Sequence, residues 1–238
     1  MLLRGRKTQI RRARRPRAHH HIPMLEELLT LLFPEHCVGC DKTGSSLCAI
    51  CERTITTRPH ALGATVATLF DYQNPLVKRA LWALKYRRKR SLGKYFGIAL
   101  YREFFKSLAQ GNKQTKETIV LVAIPSGKRA FRLRGYNHAG IIAEAIVHAA
   151  KADGLVLQCE PRMLFKKREN EQQVKAHTKA KRAKNVAHAF GVRHGERIAG
   201  KTVVLIDDII TTGATIAEAR RALNEWKPKR ILAVAVAH

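Results

Sequence analysis

Residues 203–215, VVLIDDIITTGAT, combine two acidic side chains with a turn of small residues. Asp207 and Asp208 end an apolar run, and the turn that follows contains Thr211, Thr212, Gly213, Ala214 and Thr215. The backbone N–H groups of such a turn, together with the N-terminus of the next helix, can surround a phosphate group. Paired carboxylates instead accept hydrogen bonds from sugar hydroxyls or bind a divalent cation. The segment therefore predicts a site for a sugar that carries a 5-phosphate.

Four of the five cysteines form two C-x-x-C pairs in the segment CVGCDKTGSSLCAIC. They are Cys37, Cys40, Cys48 and Cys51, with seven residues between the two pairs. This spacing is typical of structural zinc sites, in which four thiolates surround the ion and leave no position for water. Two disulfides are one alternative, and an iron–sulfur cluster is another. We predict a small zinc-ribbon-like module that stabilises the fold and takes no part in catalysis.

Apolar runs and amphipathic stretches alternate along the chain from residue 64 onward. They predict strands at 64–72, 117–125, 155–159, 201–207 and 231–238. They also predict two helical stretches within 75–105, separated near residue 90, further helices at 138–151 and 214–227, and a loop at 126–137. This alternation indicates an α/β fold, with a parallel sheet that helices cover on both faces. Such sheets bind ligands at the carboxyl ends of their strands, which is where Asp207 and Asp208 fall.

The composition is strongly basic and excludes a protein that is largely embedded in a membrane. The chain has 238 residues, a formal net charge of +27 and 45% apolar residues. No uncharged apolar run approaches the roughly 20 residues that a spanning helix needs. The apolar stretch at residues 28–33 is too short to span and follows two acids, so we expect no secretory signal. The expected location is the cytoplasm, where thiols stay reduced.

We predict three segments along the chain. Residues 1–23 contain eight Arg or Lys and no acid, which indicates a disordered basic tail. Residues 24–60 begin with a short amphipathic helix and then form the four-cysteine module. Residues 61–238 form the α/β domain.

A further concentration of positive charge lies in residues 78–90, KRALWALKYRRKR, which contain seven Lys or Arg and no acid. Trp82 and Tyr86 lie between these cations. Basic segments with interleaved aromatic side chains bind single-stranded nucleic acid through its phosphates and by base stacking. We predict nucleic-acid contacts for Lys85, Arg87, Arg88, Lys89 and Arg90. Two alternatives remain open: the charge attracts polyphosphate substrates, and Trp82 packs in the core with Leu81 and Leu84.

Residues 24–238 resemble the ComF family, the competence-associated members of the type I phosphoribosyltransferase superfamily. The four-cysteine module, the segment at 203–215 and ALKYRRKRSLGKYFG carry part of the resemblance; the last is similar to the family's Lys-Tyr/Phe segment. IPSGKRAFRLRGYNHAG is close to the family's Pro-x-x-x-x-Arg-x-x-Arg-Gly-Phe-Asn-Gln pattern. LFKKRENEQQVKAHTKAKRAKNVAHAF is similar to its Arg-x-x-x-x-Gln, Arg-x-x-Asn-Val and Ala-Phe pattern.

The resemblance implies a type I phosphoribosyltransferase fold that binds phosphoribosyl pyrophosphate with Mg2+. It implies that Asp207 and Asp208 contact the ribose hydroxyls at the catalytic centre and that residues 211–215 bind the 5-phosphate. It places pyrophosphate at the turn formed by Ser126, Gly127, Lys128 and Arg129, and a mobile flap at residues 166–182. His138 stands where the family commonly has Gln. We expect a capping or surface residue there, with ligand contact as the alternative.

Two functions of different classes follow from the resemblance. The first is a Mg2+-dependent phosphoribosyltransferase whose acceptor the sequence does not identify. The second is a non-catalytic DNA-import module that retains the sugar-phosphate pocket. Its partners would be single-stranded DNA and proteins of the DNA-uptake machinery. One fold can host both functions.

Overall fold

The computed structural model describes residues 34–107, 118–167 and 189–238. The basic tail predicted at 1–23, the helix predicted to begin at residue 24 and most of the flap predicted at 166–182 lie outside these ranges. The chain divides into two compact units, Met1–Glu35 and His36–His238, and every element given below belongs to the second unit. The domain boundaries predicted after residues 23 and 60 stay predictions.

Six α-helices lie within the described ranges. They are α1 (Ala49–Arg53), α2 (Pro75–Tyr86), α3 (Arg90–Leu100), α4 (Lys128–Arg134), α5 (His138–Ala152) and α6 (Ala214–Asn224). A π-helical turn at Tyr101–Phe105 extends α3, and a 3-10 helix spans Gly195–Ile198. The start of α2 is fixed by Asn74, whose side chain accepts hydrogen bonds from the N–H groups of Leu76 and Val77.

The main sheet has six strands, which are β1 (His60–Ala61), β2 (Val66–Phe70), β3 (Ile119–Ala123), β4 (Gln158–Cys159), β7 (Thr202–Ile209) and β8 (Arg230–Ala237). Their order in the sheet is β1-β2-β8-β7-β3-β4. All neighbouring pairs are parallel except β1 with β2. A separate antiparallel pair joins β5 (Leu164–Lys166) to β6 (Phe190–Val192). The carboxyl ends of β3 and β7 therefore meet at one edge, with Ala123 opposite Ile206.

Alternate residues of the central strands pack into two different cores. In β7, Val204 and Ile206 belong to a core with side chains of α2, α3 and α5. Val203 and Leu205 belong to a second core with side chains of α6 and of the β5–β6 pair. Because successive strand residues point to opposite faces, the two cores show that the sheet is covered on both sides.

Helices α3 and α5 cross in close contact, and this contact fixes the position of α5. A Cβ atom on Gly97 would lie 2.5 Å from the Cβ of Ala145 and 2.7 Å from the carbonyl oxygen of Ile142. Glycine at this position therefore allows the backbones to approach. The first residue of α5 is His138, so the same contact also positions that side chain.

The predicted α/β fold class, with a mostly parallel central sheet and flanking helices, is confirmed. The loop predicted at residues 126–137 is wrong in part, because it contains α4. The good helix formers of KRAFRLR make one short helix, which ends at Gly135 in the left-handed region with φ 80°. Among the described helices, none is both long and apolar enough to cross a membrane.

Candidate functional site

The two predicted carboxylates lie inside the carboxyl-terminal end of β7 rather than in the loop after it. Asp207 is 8% exposed and Asp208 is 4% exposed. The N–H of Asp208 donates to Asp207 Oδ1 at 2.8 Å, and the N–H of Ile209 donates to Asp208 Oδ1 at 2.9 Å. Burial, followed by the neighbouring charge of Asp208, raises the pKa of Asp207 well above its ordinary value. The surroundings of Asp207 therefore oppose a negative charge on this side chain.

Asp208 faces two basic side chains that come from other elements. Nζ of Lys85, near the end of α2, lies 2.5 Å from Asp208 Oδ2. Nε2 of His138, at the start of α5, lies 3.5 Å from the same oxygen. Burial is the largest cause that lowers the pKa of His138, although the charge of Asp208 opposes this effect. The expectation of a surface or capping role for His138 is wrong, because its side chain is largely buried and faces Asp208.

The turn predicted to bind pyrophosphate lies beside this group. Ser126 Oγ donates to Asn137 Oδ1 at 3.1 Å and lies 3.3 Å from Nδ1 of His138. Asn137 in turn donates from Nδ2 to the carbonyl oxygen of Ile124 at 3.0 Å. Gly127 precedes α4, and Lys128 and Arg129 begin that helix with exposed side chains. The end of β3 is thus tied to the start of α5, next to Asp208.

The turn predicted to bind phosphate begins α6. Gly213 is in the left-handed region with φ 75°, where a side chain would be strained, and Ala214 is the first helical residue. The side chains of Thr211, Thr212 and Thr215 are exposed. The first N–H groups of a helix have no acceptor within that helix, so this turn presents donors at the carboxyl edge of the sheet.

A cavity of about 930 Å³ adjoins the candidate pyrophosphate turn, and Ser126 and Lys128 are part of its wall. Its lining combines apolar side chains, such as those of Tyr136 and Phe165, with many cations. The cations include Arg90, Lys128, Arg132, Arg162, Lys166 and Arg193. The space beside the turn therefore attracts anions.

The five side chains of residues 78–90 that were predicted to contact nucleic acid each have a different partner in the structure. Lys85 pairs with Asp208, as described above. The Arg87 guanidinium lies 4.9 Å from the ring of Trp82, and that of Arg90 lies 5.0 Å from the ring of Tyr136. Arg88 donates to the carbonyl oxygen of Leu133 at 3.2 Å. Lys89 donates to the carbonyl oxygen of His36.

Trp82 is not a core residue, so the core alternative is wrong. Its side chain is 49% exposed and that of Tyr86 is 59% exposed, with ring centroids 5.5 Å apart. The Arg134 guanidinium lies 4.9 Å from the Tyr86 ring. The exposed face of α2 can be identified from the helical repeat. Lys78, Trp82 and Tyr86 are spaced by four and share one face, whereas Leu81 and Leu84 lie on the buried face.

The side chains of Cys37, Cys40, Cys48 and Cys51 converge on one point. Their sulfur atoms all lie within 4.8 Å of one another, so the cluster could hold a metal ion. All are free thiols, in contrast to the disulfide alternative. Burial opposes ionisation of Cys37, yet N–H donors from Cys48, Cys40 and Gly39 together lower its pKa to about 6. A thiolate stabilised in this way suits a metal ligand.

The four-cysteine cluster packs on the helices that lead to the site. Cys37 and Cys51 belong to the same core as Leu76 and Leu81 of α2. Ser91 Oγ of α3 donates to Ser46 Oγ at 2.8 Å. The cluster therefore supports the α2–α3 region, from which Lys85 reaches Asp208.

Residues 106–238 match the sequence model of the family described as phosphoribosyl transferase domain. No curated protein sequence matches the chain. Among solved structures, the chain is similar to hypoxanthine-guanine phosphoribosyl transferase of L. donovani, with 11% identity and a TM-score of 0.39, covering 61% of this chain and 71% of that one. It is also similar to hypoxanthine phosphoribosyl transferase of Trypanosoma cruzi, with 15% identity and a TM-score of 0.40, covering 60% and 66%. For glutamine phosphoribosylpyrophosphate amidotransferase of B. subtilis the identity is 20%, the TM-score is 0.36 and the coverage is 61% and 26%. The chain thus spans about a quarter of the amidotransferase.

Proposed function

The chain belongs to the phosphoribosyl transferase domain family, and from this premise we propose that it binds phosphoribosyl pyrophosphate and transfers its phosphoribosyl group. One observation carries the proposal. The carboxylates of Asp207 and Asp208, the turn at residues 126–129 and the turn at residues 211–215 all lie at the carboxyl edge of the same parallel sheet. A sugar with a 5-phosphate and a diphosphate needs these three kinds of group at once.

Each part of the site has a defined task in this proposal. Asp207 and Asp208 accept hydrogen bonds from the ribose hydroxyls, and the N–H groups at the start of α6 hold the 5-phosphate. Lys128 and Arg129 stabilise the negative charge that develops on the leaving pyrophosphate. The bond from the sugar to pyrophosphate breaks as the bond to the acceptor forms. The acceptor of the phosphoribosyl group is not assigned.

The carboxylate pair fits Mg2+ in part. Oxygen atoms of Asp207 and Asp208 and a nitrogen of His138 lie within 4.8 Å of one another, which is close enough to share an ion. Carboxylate oxygens are ligands that Mg2+ prefers, usually together with phosphate oxygens of a substrate. When bound there, Mg2+ would neutralise charge on the diphosphate. The ammonium group of Lys85, however, lies against Asp208 Oδ2.

Within the family, we place the chain in the ComF branch. The four-cysteine cluster precedes the matched residues 106–238, and such a module at the amino end is a feature of that branch. We assign the cluster a structural zinc ion, because four thiolates form a closed tetrahedral shell. One zinc ion per chain in the purified protein would support this assignment, and iron with visible absorbance would contradict it.

Calorimetry with phosphoribosyl pyrophosphate tests the proposed function. We expect binding that requires Mg2+, followed by release of pyrophosphate when a suitable acceptor is present. Nucleobases, ammonia and nucleic acids are the acceptors to try. Absence of Mg2+-dependent binding would overturn the proposed function. Binding without pyrophosphate release from any acceptor would favour the non-catalytic alternative.

A second function, binding of single-stranded DNA during DNA uptake, is favoured by the exposed aromatic surface of α2. We define the Trp82–Tyr86 surface as these two side chains with Arg87 and Arg134. Both rings are exposed, and each has a guanidinium within 4.9 Å of its centroid. Rings of this kind stack bases while neighbouring cations contact phosphates. Partners from the DNA-uptake machinery and action in the cytoplasm belong to the same proposal.

Replacement of Trp82 by alanine is expected to weaken the binding of single-stranded DNA by about tenfold, because one stacking platform is lost. Fluorescence anisotropy of a labelled oligonucleotide at several salt concentrations measures this effect. Trp82→Phe is the matched control, since it retains an aromatic face and should retain most of the affinity. Because Trp82 is half exposed, neither variant should change the melting temperature by more than a few degrees. Equal affinity of the alanine variant and the unaltered protein would contradict the prediction.

A further inference from the structure

The ion pair between Lys85 and Asp208 connects the carboxylate pair to a part of the chain outside the family match. Lys85 lies on α2, whereas the matched residues begin at 106. The side chain of Lys85 is 22% exposed and that of Asp208 is 6% exposed. Because the carboxylate of Asp208 is buried, loss of Lys85 would leave its negative charge uncompensated.

Lys85 is held in place by contacts around its helix end. The hydroxyl of Tyr136 donates to the carbonyl oxygen of Leu84, the residue before Lys85. The guanidinium of Arg90 lies over the ring of the same tyrosine, 5.0 Å from its centroid. Tyr136 is buried, so the end of α2 is fixed against the segment that leads into α5. The ammonium group therefore reaches Asp208 from an ordered helix end.

The second carboxylate oxygen of Asp208 is buried and accepts no hydrogen bond within the described part of the chain, although the Lys85 ammonium lies beside it. One oxygen of Asp207 and one of Asp208 accept backbone N–H groups, and the second oxygen of Asp208 is in contact with the Lys85 ammonium. A divalent cation at Asp208 would lie within a few ångströms of that ammonium. Two cations at such a distance repel each other, and the repulsion is stronger in a partly buried site than in water.

We propose that Lys85 is the resident counter-ion of Asp208 and keeps divalent cations from the carboxylate pair until an anionic ligand draws its ammonium group away. The inference rests on the proposed function, in which Mg2+ and the sugar diphosphate use this pair. A diphosphate offers the ammonium a new partner, so the cation enters together with the ligand and not before it. Lys85 is then a positioning residue that sets the order of binding.

The experiment measures Mn2+ binding to the full chain by electron paramagnetic resonance. Zinc is supplied beforehand to the four-cysteine cluster, and no sugar phosphate is present. We expect Lys85→Met to bind Mn2+ about tenfold or more tightly than the unaltered protein, because the repelling charge is gone. Lys94→Met is the matched control. Lys94 is an exposed lysine on α3, and its replacement should not change Mn2+ affinity. The double variant Lys85→Met/Asp208→Asn should lose the gain.

Equal Mn2+ affinity of Lys85→Met and the unaltered protein would overturn the inference. If Lys85→Met does not fold, Lys85→Gln replaces it, because glutamine removes the charge and keeps a polar side chain at this position. In the unaltered protein, phosphoribosyl pyrophosphate should raise Mn2+ affinity. If Lys85→Met gains affinity but phosphoribosyl pyrophosphate does not bind, the inference stands and the proposed function fails. If phosphoribosyl pyrophosphate binds but Lys85→Met shows no gain in Mn2+ affinity, the proposed function stands and the inference fails.

Discussion

Replacement of Asp208 by asparagine is expected to weaken the Mg2+-dependent binding of phosphoribosyl pyrophosphate by about 100-fold, the effect of removing one member of a buried charged contact. The reason is the position of Asp208 at the centre of the site. Its side chain is 4% exposed and contacts both Lys85 and His138. Asparagine keeps the shape of the side chain but has no charge to offer a cation. Calorimetry with and without Mg2+ measures the loss.

Asp207→Asn provides the matched comparison. Burial and the charge of Asp208 raise the pKa of Asp207, so its surroundings oppose the negative charge of this side chain. Asparagine removes that charge and keeps the shape of the side chain. We therefore expect a smaller loss of affinity than for Asp208→Asn and an unchanged or higher melting temperature. Equal losses for the two variants would contradict the asymmetry of the pair.

The central strands, and the edge of the sheet at which the candidate site lies, could be predicted from local sequence. The run at Val203–Ile206 is apolar enough to identify a buried strand, and the rule for parallel sheets places the acids that follow at the ligand edge. The strand continues through Asp207 and Asp208, because backbone pairing with β8 extends past the apolar run. The local sequence pattern thus identified β7 and the ligand edge of the sheet. The residue at which β7 ends depended on its pairing with β8.

The contacts of Lys85 and His138 could not be predicted from their local sequence. Lys85 lies in a basic run that is typical of an exposed surface, yet the end of α2 directs it to an acid on β7. His138 begins α5, and the close contact at Gly97 sets where that helix begins in space. Both placements depend on how helices pack on the sheet. Trp82 differs, because its spacing of four from Lys78 and Tyr86 on α2 contains the signal for an exposed face, although the sequence alone left it open as a core residue with Leu81 and Leu84.

If the four-cysteine cluster holds the proposed zinc ion, removal of this ion is expected to lower the melting temperature by roughly 10 °C or more, at about 2–4 °C per kcal/mol for a chain of this size. Four thiols that no longer share an ion lose the interaction that holds residues 37–51 together. Cys37 and Cys51 are part of the main core, so their release also loosens α2. Differential scanning calorimetry with a chelator measures the shift, and hydrogen exchange of α2 and α3 locates it.

Gly39→Ala tests whether stability depends on the bound metal rather than on the cysteine side chains themselves, because it leaves every cysteine in place. A Cβ atom on Gly39 would lie 2.5 Å from Sγ of Cys51 and 2.9 Å from its Cβ, so the four sulfur atoms could not converge without a shift of the backbone. We expect less than one metal ion per chain and most of the loss of stability seen with the chelator. Cys159→Ser is the control, since this thiol lies outside the cluster and should leave metal content unchanged.

Full metal content in Gly39→Ala would show that the cluster tolerates the added atom and would refute the role given to this glycine. Reduced Mg2+-dependent ligand binding by the same variant would mean that the cluster acts on the carboxylate pair through α2 and Lys85.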